Sequence, residues 1–441
     1  METKKVPGGM GFWVCNFAFT MERFSFYSAK WLIAVFIVKG ITEGGLGLDE
    51  SAGAIASANL VAFTYLAPLI GSYISDKLVG ARYLVPVGMC LMAAGYLVGW
   101  KASSLNSVNL MILLVSIGTG LFKPQTNSIT GRLFDDPGLL DAAFSTQYSM
   151  VNVGSFIGTT FIGVIANVQG YRFCFLICAA MMLLNAIWFT FGWRFLGEAG
   201  KKPFKVDEHK VDIKKESVEK KPLTLIEKKR VAAIVLVSAF SAIFWVFWYL
   251  AYLPVYYYWD DPAKMNWMIG SFQIPSAWFD SENAFLCIAL GPILGALWAK
   301  DAKRPGGGLS IFKHTALGMF IQGLAFVVFA LADVLRGGKP ASILWMVLFG
   351  FLLTAGEMTF SPLGNSFISK FAPAKLLSAM MAVWTLSIFI AGKSYGYLYN
   401  ITSNLPFAPV YFTIAVILIV AALVLWVMDG KLNNLVIKHE D

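Results

Sequence analysis

The chain has 441 residues, 57% hydrophobic and 14% charged, with a formal net charge of +9. Soluble domains carry about 25% charged residues, so the deficit excludes an ordinary soluble enzyme, a disordered chain and a free nucleic-acid binder. Length and apolarity together suit a polytopic membrane protein, because each helical crossing takes about 20 apolar residues.

The N-terminus, Met1-Glu-Thr-Lys-Lys5, leads into a long apolar stretch with no small-residue cleavage site. It reads as an uncleaved first span. Hydrophobic runs predict spans at about 10–38, 51–75, 82–100, 106–134, 140–167 and 170–195. A second set is predicted at about 230–257, 281–299, 311–334, 342–369, 376–402 and 406–429. Between the sets, Glu198 to Arg230 is rich in Lys and Glu and has no apolar run. The expected organisation is an N-terminal six-helix bundle over 1–197, a basic linker over 198–229 and a C-terminal six-helix bundle over 230–441.

Cys15, Cys90, Cys174, Cys178 and Cys287 lie in apolar stretches and are expected to pack there. His209, His314 and His439 lie in polar or near-terminal positions, so no histidine relay or metal cage is expected in the membrane. No cofactor is expected.

Basic residues set the orientation. Under this topology Lys4, Lys5, Lys77, Arg82, Arg132, the linker, Lys300, Lys303, Arg304, Lys313, Lys370, Lys375, Lys431 and Lys438 share one side. The other side has Lys39, Lys101, Arg172, Lys264, Arg336 and Lys339. The positive-inside rule puts the linker and both termini in the cytosol, as in a multi-pass protein of the plasma (inner) membrane. Six plus six spans around a cytosolic linker is the plan of the major facilitator superfamily, whose substrate site lies at the midplane between its halves. The fold class expected is an all-α membrane protein of major facilitator fold, with twelve transmembrane helices in two six-helix bundles and no extra helices between them. Gly71 to Arg82 resembles that superfamily's GxxxDRxGRR loop, with Lys77 at an arginine position and Ala81-Arg82 as the final doublet. There the glycine allows close helix approach. Asp76, with Lys77 and Arg82, is expected to cap a helix or pair with a base and so gate the cytosolic ends.

A charge at the bilayer centre costs about 2.5–3.5 kcal/mol or more and marks a functional site by default. Span 1 carries Glu22, Arg23 and Lys30; Lys123, Glu357 and Lys393 lie in spans 4, 10 and 11. Glu22 and Arg23 are adjacent and are expected to face different directions, whereas Arg23 and Lys30, seven apart, share a face. A wall of Arg23, Lys30 and Lys123 would attract a carboxylate, with Arg23 holding it bidentately. Lys123 and Glu357 occupy comparable places in the two halves. A zwitterion fits that pair of charges: carboxylate toward Lys123 and Arg23, ammonium toward Glu357. Structural ion pairing, above all of Glu22 with Lys123, is the plainer alternative. For Lys393 it is snorkelling.

Several of these residues sit in motifs. The stretch Met21 to Ser28 resembles the first-helix signature ExxERFxYYG of the proton-coupled oligopeptide transporter family. Gly118 to Pro124 resembles its lysine-proline motif, and Phe144 to Ser155 its FYxxINxGSL motif. Gly356 to Pro362, then Met380 to Trp384, is similar to its span 10–11 pattern; Phe272 to Pro275 and Asn283 to Phe285 are similar to the approach to span 8. The resemblance implies uptake of di- and tripeptides by alternating access, driven by protons through few carboxylates, by a monomer. Arg23, Lys30 and Lys123 match positions that hold the peptide carboxylate. Asn152, Asn283 and Glu357 match positions for the amino end, and Tyr27, Tyr65 and Trp384 match cavity residues. Helix packing is the bland alternative for Tyr65 and Trp384, and an interhelical hydrogen bond for Asn152.

The departures also carry information. Phe19 stands for the first glutamate of the signature, and Tyr249 falls where the family commonly has an acid in span 7. Neither exchanges protons near neutral pH. Glu22 and Glu357 are left as candidate proton carriers. A facilitative peptide carrier, a nitrate or organic-anion carrier of the same fold and a peptide-sensing receptor are the rival readings. Glu357 opposes the anion carrier, and the linker marks no effector domain. No nucleophile–base pair suggests an enzyme.

Overall fold

The structure is a computed structural model that describes residues 9–134, 139–203, 222–304, 308–361, 367–368, 370–373 and 376–436. Lys4, Lys5, Lys375, Lys438, Pro362, His209, His439 and linker residues 204–221 lie outside the described residues.

Twelve long helices among the described residues follow the twelve predicted runs. They are α1 (Gly9–Val38), α2 (Glu50–Lys77), α3 (Ala81–Lys101), α4 (Leu105–Gly131), α5 (Leu140–Gln169) and α6 (Tyr171–Gly192). The second set is α7 (Leu225–Leu250), α8 (Trp278–Asp301), α9 (Ile311–Leu335), α10 (Leu344–Phe360), α11 (Leu377–Thr402) and α12 (Phe407–Val436). A short helix, Tyr252–Tyr256, continues α7. Among the described residues, nine helices are long and apolar enough to cross a membrane. No long helix stands between α6 and α7 among those residues.

Caps explain where the ends fall. The Asp49 carboxylate accepts the Ala52 N–H at 2.7 Å and starts α2. Thr224 and Glu227 form a reciprocal capping box, which satisfies two N–H groups and starts α7 at Leu225, ahead of the predicted 230. At the other extreme, α12 runs past the predicted 429. There the Asp429 carboxylate accepts from Asn433 at 3.0 Å, pairs with Lys313 at 3.3 Å and accepts the Ser310 hydroxyl at the start of α9.

The chain falls into two compact units, Met1–Lys214 with Pro275–Ala284, and Lys215–Ile274 with Phe285–Asp441. In the first unit α1 packs on α2, α4, α5 and α6, while α3 packs on α4 and α6 and α2 on α4. In the second, α9 packs on α10 and α12, and α7 on α11 and α12. The loops of the second unit add four strands of two residues, a departure from a purely helical chain. Strand β1 (Met265–Asn266) runs parallel to β4 (Ala341–Ser342); β2 (Met268–Ile269) pairs antiparallel with β3 (Phe272–Gln273).

Helix packing in the first unit depends on small residues. Pro124 has no N–H to offer the Gly120 carbonyl one turn back. Gly71 of α2 lies against that carbonyl: a Cβ there would stand 1.8 Å from its oxygen. The Gln125 amide then donates to the Gly71 carbonyl at 2.7 Å, stitching α4 to α2. The close approach expected of this glycine is present.

Gly71→Leu should therefore push α2 from α4 and cost about 1–3 kcal/mol. Thermal unfolding in detergent should show a lower midpoint than for Gly295→Leu, where a Cβ meets nothing within 4 Å. Equal midpoints would show that the contact carries no weight.

Candidate functional site

The middle of α1 places three charges inside an apolar bundle, and the structure pairs two of them at once. Glu22 is fully buried and Arg23 nearly so. Arg23 Nε donates to Glu22 Oε2 at 2.5 Å, and a terminal guanidinium nitrogen donates to Oε1 at 2.6 Å. The expectation that the two face different directions is thus wrong. Their Cβ atoms diverge, but an unpaired buried charge costs far more than bending a long guanidinium arm back one residue. The guanidinium carbon also lies 4.4 Å from the centroid of Phe26 and 5.7 Å from that of Tyr27. In this structure both Glu22 carboxylate oxygens accept from Arg23, and the pair is formed with Arg23 and not with Lys123.

Lys30, buried about two turns along the same face of α1, has a partner that the sequence reading missed. Its ammonium lies 3.0 Å from the Asp280 carboxylate, and both side chains are buried. Asp280 escaped notice because span 8 was predicted to start at 281, whereas α8 begins at Trp278. Extending that span by a turn brings the acid into view, at a helix start where the dipole favours it. Glu282, two residues on, was missed too. It is half-buried, and one of its carboxylate oxygens is buried without a hydrogen bond. The expected wall of three available cations is therefore reduced. In this structure the Arg23 fork and the Lys30 ammonium both hold acids of the protein.

Lys123 differs. Its ammonium sits 5.4 Å from the Tyr65 ring centroid, and among the described residues it forms no ion pair. It is close enough to Arg23 and Glu22 to interact with both electrostatically. Pro124 and the Gly71–Gly120 contact fix the stretch of α4 that carries it. Phe19, at the missing glutamate, packs on Phe122 with ring centroids 5.1 Å apart.

On α5, Gly154 allows contact with α1: a Cβ would stand 2.1 Å from the Thr20 carbonyl oxygen. Asn152 is nearly buried, and its amide donates to the Tyr148 carbonyl of its own helix at 3.0 Å rather than across a helix interface. Tyr27, Tyr65 and Asn283 are half-buried members of the first unit.

In the second unit Glu357 is buried on α10. Trp384 of α11 stacks on Phe360, and Phe360 stacks on Phe244 with centroids 4.2 Å apart. Tyr249 stacks on Tyr395. Lys393 places its ammonium 5.6 Å from the Tyr397 centroid.

The expected cytosolic gate is not assembled as predicted. Arg82 reaches the Gly197 carbonyl at 2.6 Å and the Ala199 carbonyl at 2.7 Å, closing the end of the α6 region against α3 within one unit. Lys77 lies over its own helix neighbour Tyr73 at 4.6 Å. Among the described residues Asp76 neither caps a helix nor pairs with a base. A guanidinium satisfied by backbone carbonyls leaves no signature in the sequence. Also among the described residues, no cluster of three or more His, Cys, Asp or Glu is placed to hold a metal.

The buried pair makes a sharp test. Arg23→Ala strands the Glu22 carboxylate and should cost about 3–5 kcal/mol. Glu22→Gln/Arg23→Gln removes both charges and should recover most of that loss in detergent melts. A double variant as unstable as the single one would show that the two residues are energetically independent.

Residues 12–392 match the Major Facilitator Superfamily. An uncharacterized transporter of Bacillus subtilis, YclF, is 25% identical over 94% of this chain and 92% of its own length. A di-/tripeptide transporter of Lactococcus lactis subsp. cremoris is 23% identical, covering 83% of this chain and 84% of its own. The crystal structure of a peptide transporter POT in complex with sulfate superposes with a TM-score of 0.87 and 25% identity, over 97% of this chain and 95% of that one. With a family match over residues 12–392 and these likenesses along nearly the whole chain, the protein belongs to the Major Facilitator Superfamily.

Proposed function

We propose that this multi-pass membrane protein takes up di- and tripeptides by alternating access, as a secondary carrier and not an enzyme. The observation that carries the reading is Lys123: a cation in the membrane-spanning region of the first unit, beside an aromatic ring, with no carboxylate of its own among the described residues. Glu22, Arg23 and Lys123 sum to one positive charge, which a single substrate carboxylate neutralises. Peptides of every sequence share that carboxylate and an amino end. Asn152, Asn283 and Glu357 are proposed for the amino end, with Tyr27, Tyr65 and Trp384 as flat, adaptable cavity surfaces. Glu357 weighs against nitrate, because a buried acid repels an anion.

The Glu22–Arg23 pair suggests how protons enter the cycle. A proton on Glu22 removes one of the charges that hold the pair together. The Arg23 fork is then free to join Lys123 on the substrate carboxylate, bidentately. Proton and peptide would thus load together. The phenyl ring of Phe19 and the stacked phenol of Tyr249 supply no second site, which supports a weakly coupled or facilitative carrier as the alternative reading. The excess of basic residues on one side supports a cytosolic location for the linker and both termini. A monomer in a plasma (inner) membrane completes the proposal.

Liposomes loaded with the purified protein and offered a labelled dipeptide, with and without an imposed inward proton gradient, test it. Uptake should occur, and Lys123→Gln should reduce it by about tenfold or more. Esterifying the dipeptide's C-terminus should weaken its competition comparably, and Glu357→Gln should abolish uptake. Full competition by the ester would defeat the carboxylate assignment. Transport of nitrate in place of dipeptide would defeat the peptide reading, and indifference to the gradient would favour the facilitative one.

A further inference from the structure

In the second unit, the loop that follows α7 is tied to the loop between α9 and α10, at the end that the orientation above places outside. Strand β1 pairs with β4 across the two loops, and the Ala341 N–H donates to the Lys264 carbonyl at 2.8 Å. The Tyr258 hydroxyl donates to the Asp333 carboxylate at 2.6 Å, and the Trp267 indole donates to the Trp259 carbonyl at 2.6 Å. Held in this way, the loops form a cavity of about 550 Å³, whose lining includes Asp260, Asn266, Trp267, Met268, Gln273 and Lys339. The two loops carry three bases, and two are committed. Lys264 pairs with Asp261 at 3.6 Å and lies 3.9 Å from the Tyr258 ring centroid. Arg336 holds Asp333 at 2.9 Å. Lys339 is exposed and, among the described residues, forms no ion pair, so it and Asp260 line one cavity without joining. The Asn266 side-chain oxygen accepts the Met268 N–H at 3.0 Å, which leaves its NH2 group to donate elsewhere.

We propose that this cavity is a second binding site, for short peptides with both ends free. Its volume falls in the range of about 300–1,000 Å³ that holds small ligands. A carboxylate at Lys339 and an ammonium at Asp260 satisfy two opposite charges that the protein sets on one cavity but does not pair with each other. The side-chain amides of Asn266 and Gln273 offer the donors and acceptors that a peptide bond between those ends requires. Trp267 and Met268 add an aromatic face and a polarisable thioether, surfaces that tolerate varied side chains. A simple anion would use Lys339 and be repelled by Asp260; a simple cation would meet the reverse. Every one of these residues lies in loops and two-residue strands of the second unit, whereas Lys123 lies in the first. That such peptides are also the carrier's cargo rests on the transport reading above; the choice of a zwitterion rests on the cavity alone.

Protection from labelling tests the site in the purified full-length protein, with the five native cysteines replaced by alanine. Met268→Cys puts an exposed thiol on the cavity lining, and its reaction with a water-soluble maleimide is followed over time. Alanyl-alanine should slow that reaction. The protection should persist when Lys123→Gln is added. Adding Lys339→Gln instead should raise the dipeptide concentration needed by about three- to fivefold, the effect of losing one partly exposed charge contact. N-acetyl-alanyl-alanine and the alanyl-alanine methyl ester should each protect less well than the free dipeptide. Absence of protection, equal protection by the blocked dipeptides, or protection that Lys123→Gln abolishes and Lys339→Gln leaves intact would overturn the proposal. If the cysteine-free chain fails to fold, equilibrium binding of labelled alanyl-alanine to the Lys123→Gln protein with its native cysteines replaces the labelling. Adding Lys339→Gln should weaken that binding by the same factor, and unchanged affinity would overturn the proposal. Protection as expected in a protein that takes up no dipeptide into liposomes would support the site and count against the transport reading alone.

Discussion

A charged group buried among apolar helices must find an opposite charge, and the arrangement of the first unit follows from that requirement. The α1 helix carries Glu22, Arg23 and Lys30 into its interior, and each ion is matched where it stands or by a residue far away in sequence. The desolvation cost of a single unmatched ion exceeds what any one hydrophobic contact returns. The Glu22–Arg23 pair is met within α1 itself, and the Lys30 pair reaches another helix. The latter brings the start of α8 to the first unit, some 250 residues along the chain from Lys30. The matching also makes Lys123 conspicuous, as a cation that the protein leaves without a carboxylate among the described residues.

The second constraint is steric. Glycines on α2 and α5 let backbones approach until carbonyl oxygens fill the space of missing side chains. This matters more in lipid than in water, because burial of apolar surface gives little drive for helices to associate there. Packing and hydrogen bonds remain, such as Gln125 to the Gly71 carbonyl and Asn185 to the Ala18 carbonyl. The same close packing lets small polar groups span between helices, as the Ser25 hydroxyl does to Cys178.

The twelve helices were legible because runs of apolar residues broken by caps and turns leave a direct trace. So was the special status of Glu22, Arg23, Lys30 and Lys123, since charge in an apolar run stands out. What was not legible was partnership. Helical spacing describes where Cβ atoms point, and the long arm of Arg23 overrides it to reach Glu22. Asp280 fell just outside a predicted boundary, and a boundary error of one turn was enough to hide it. Arg82 binds backbone carbonyls, which every residue has and no pattern marks. Its motif therefore read as a gate, although the side chain closes a helix end within one unit.

The contact of Gly71 with the carbonyl that Pro124 leaves without its usual donor reaches further than packing. Tyr65 and Gly71 share α2, while Gly120 and Lys123 share α4, so the knot where the helices touch lies within two turns of both the ring and the ammonium. The two helices are thereby welded at the level of the cation, and neither can shift alone without prying the weld open. On the proposed reading, an arriving anion would meet a charge and its aromatic platform already in register, and would be spared the entropy of assembling them.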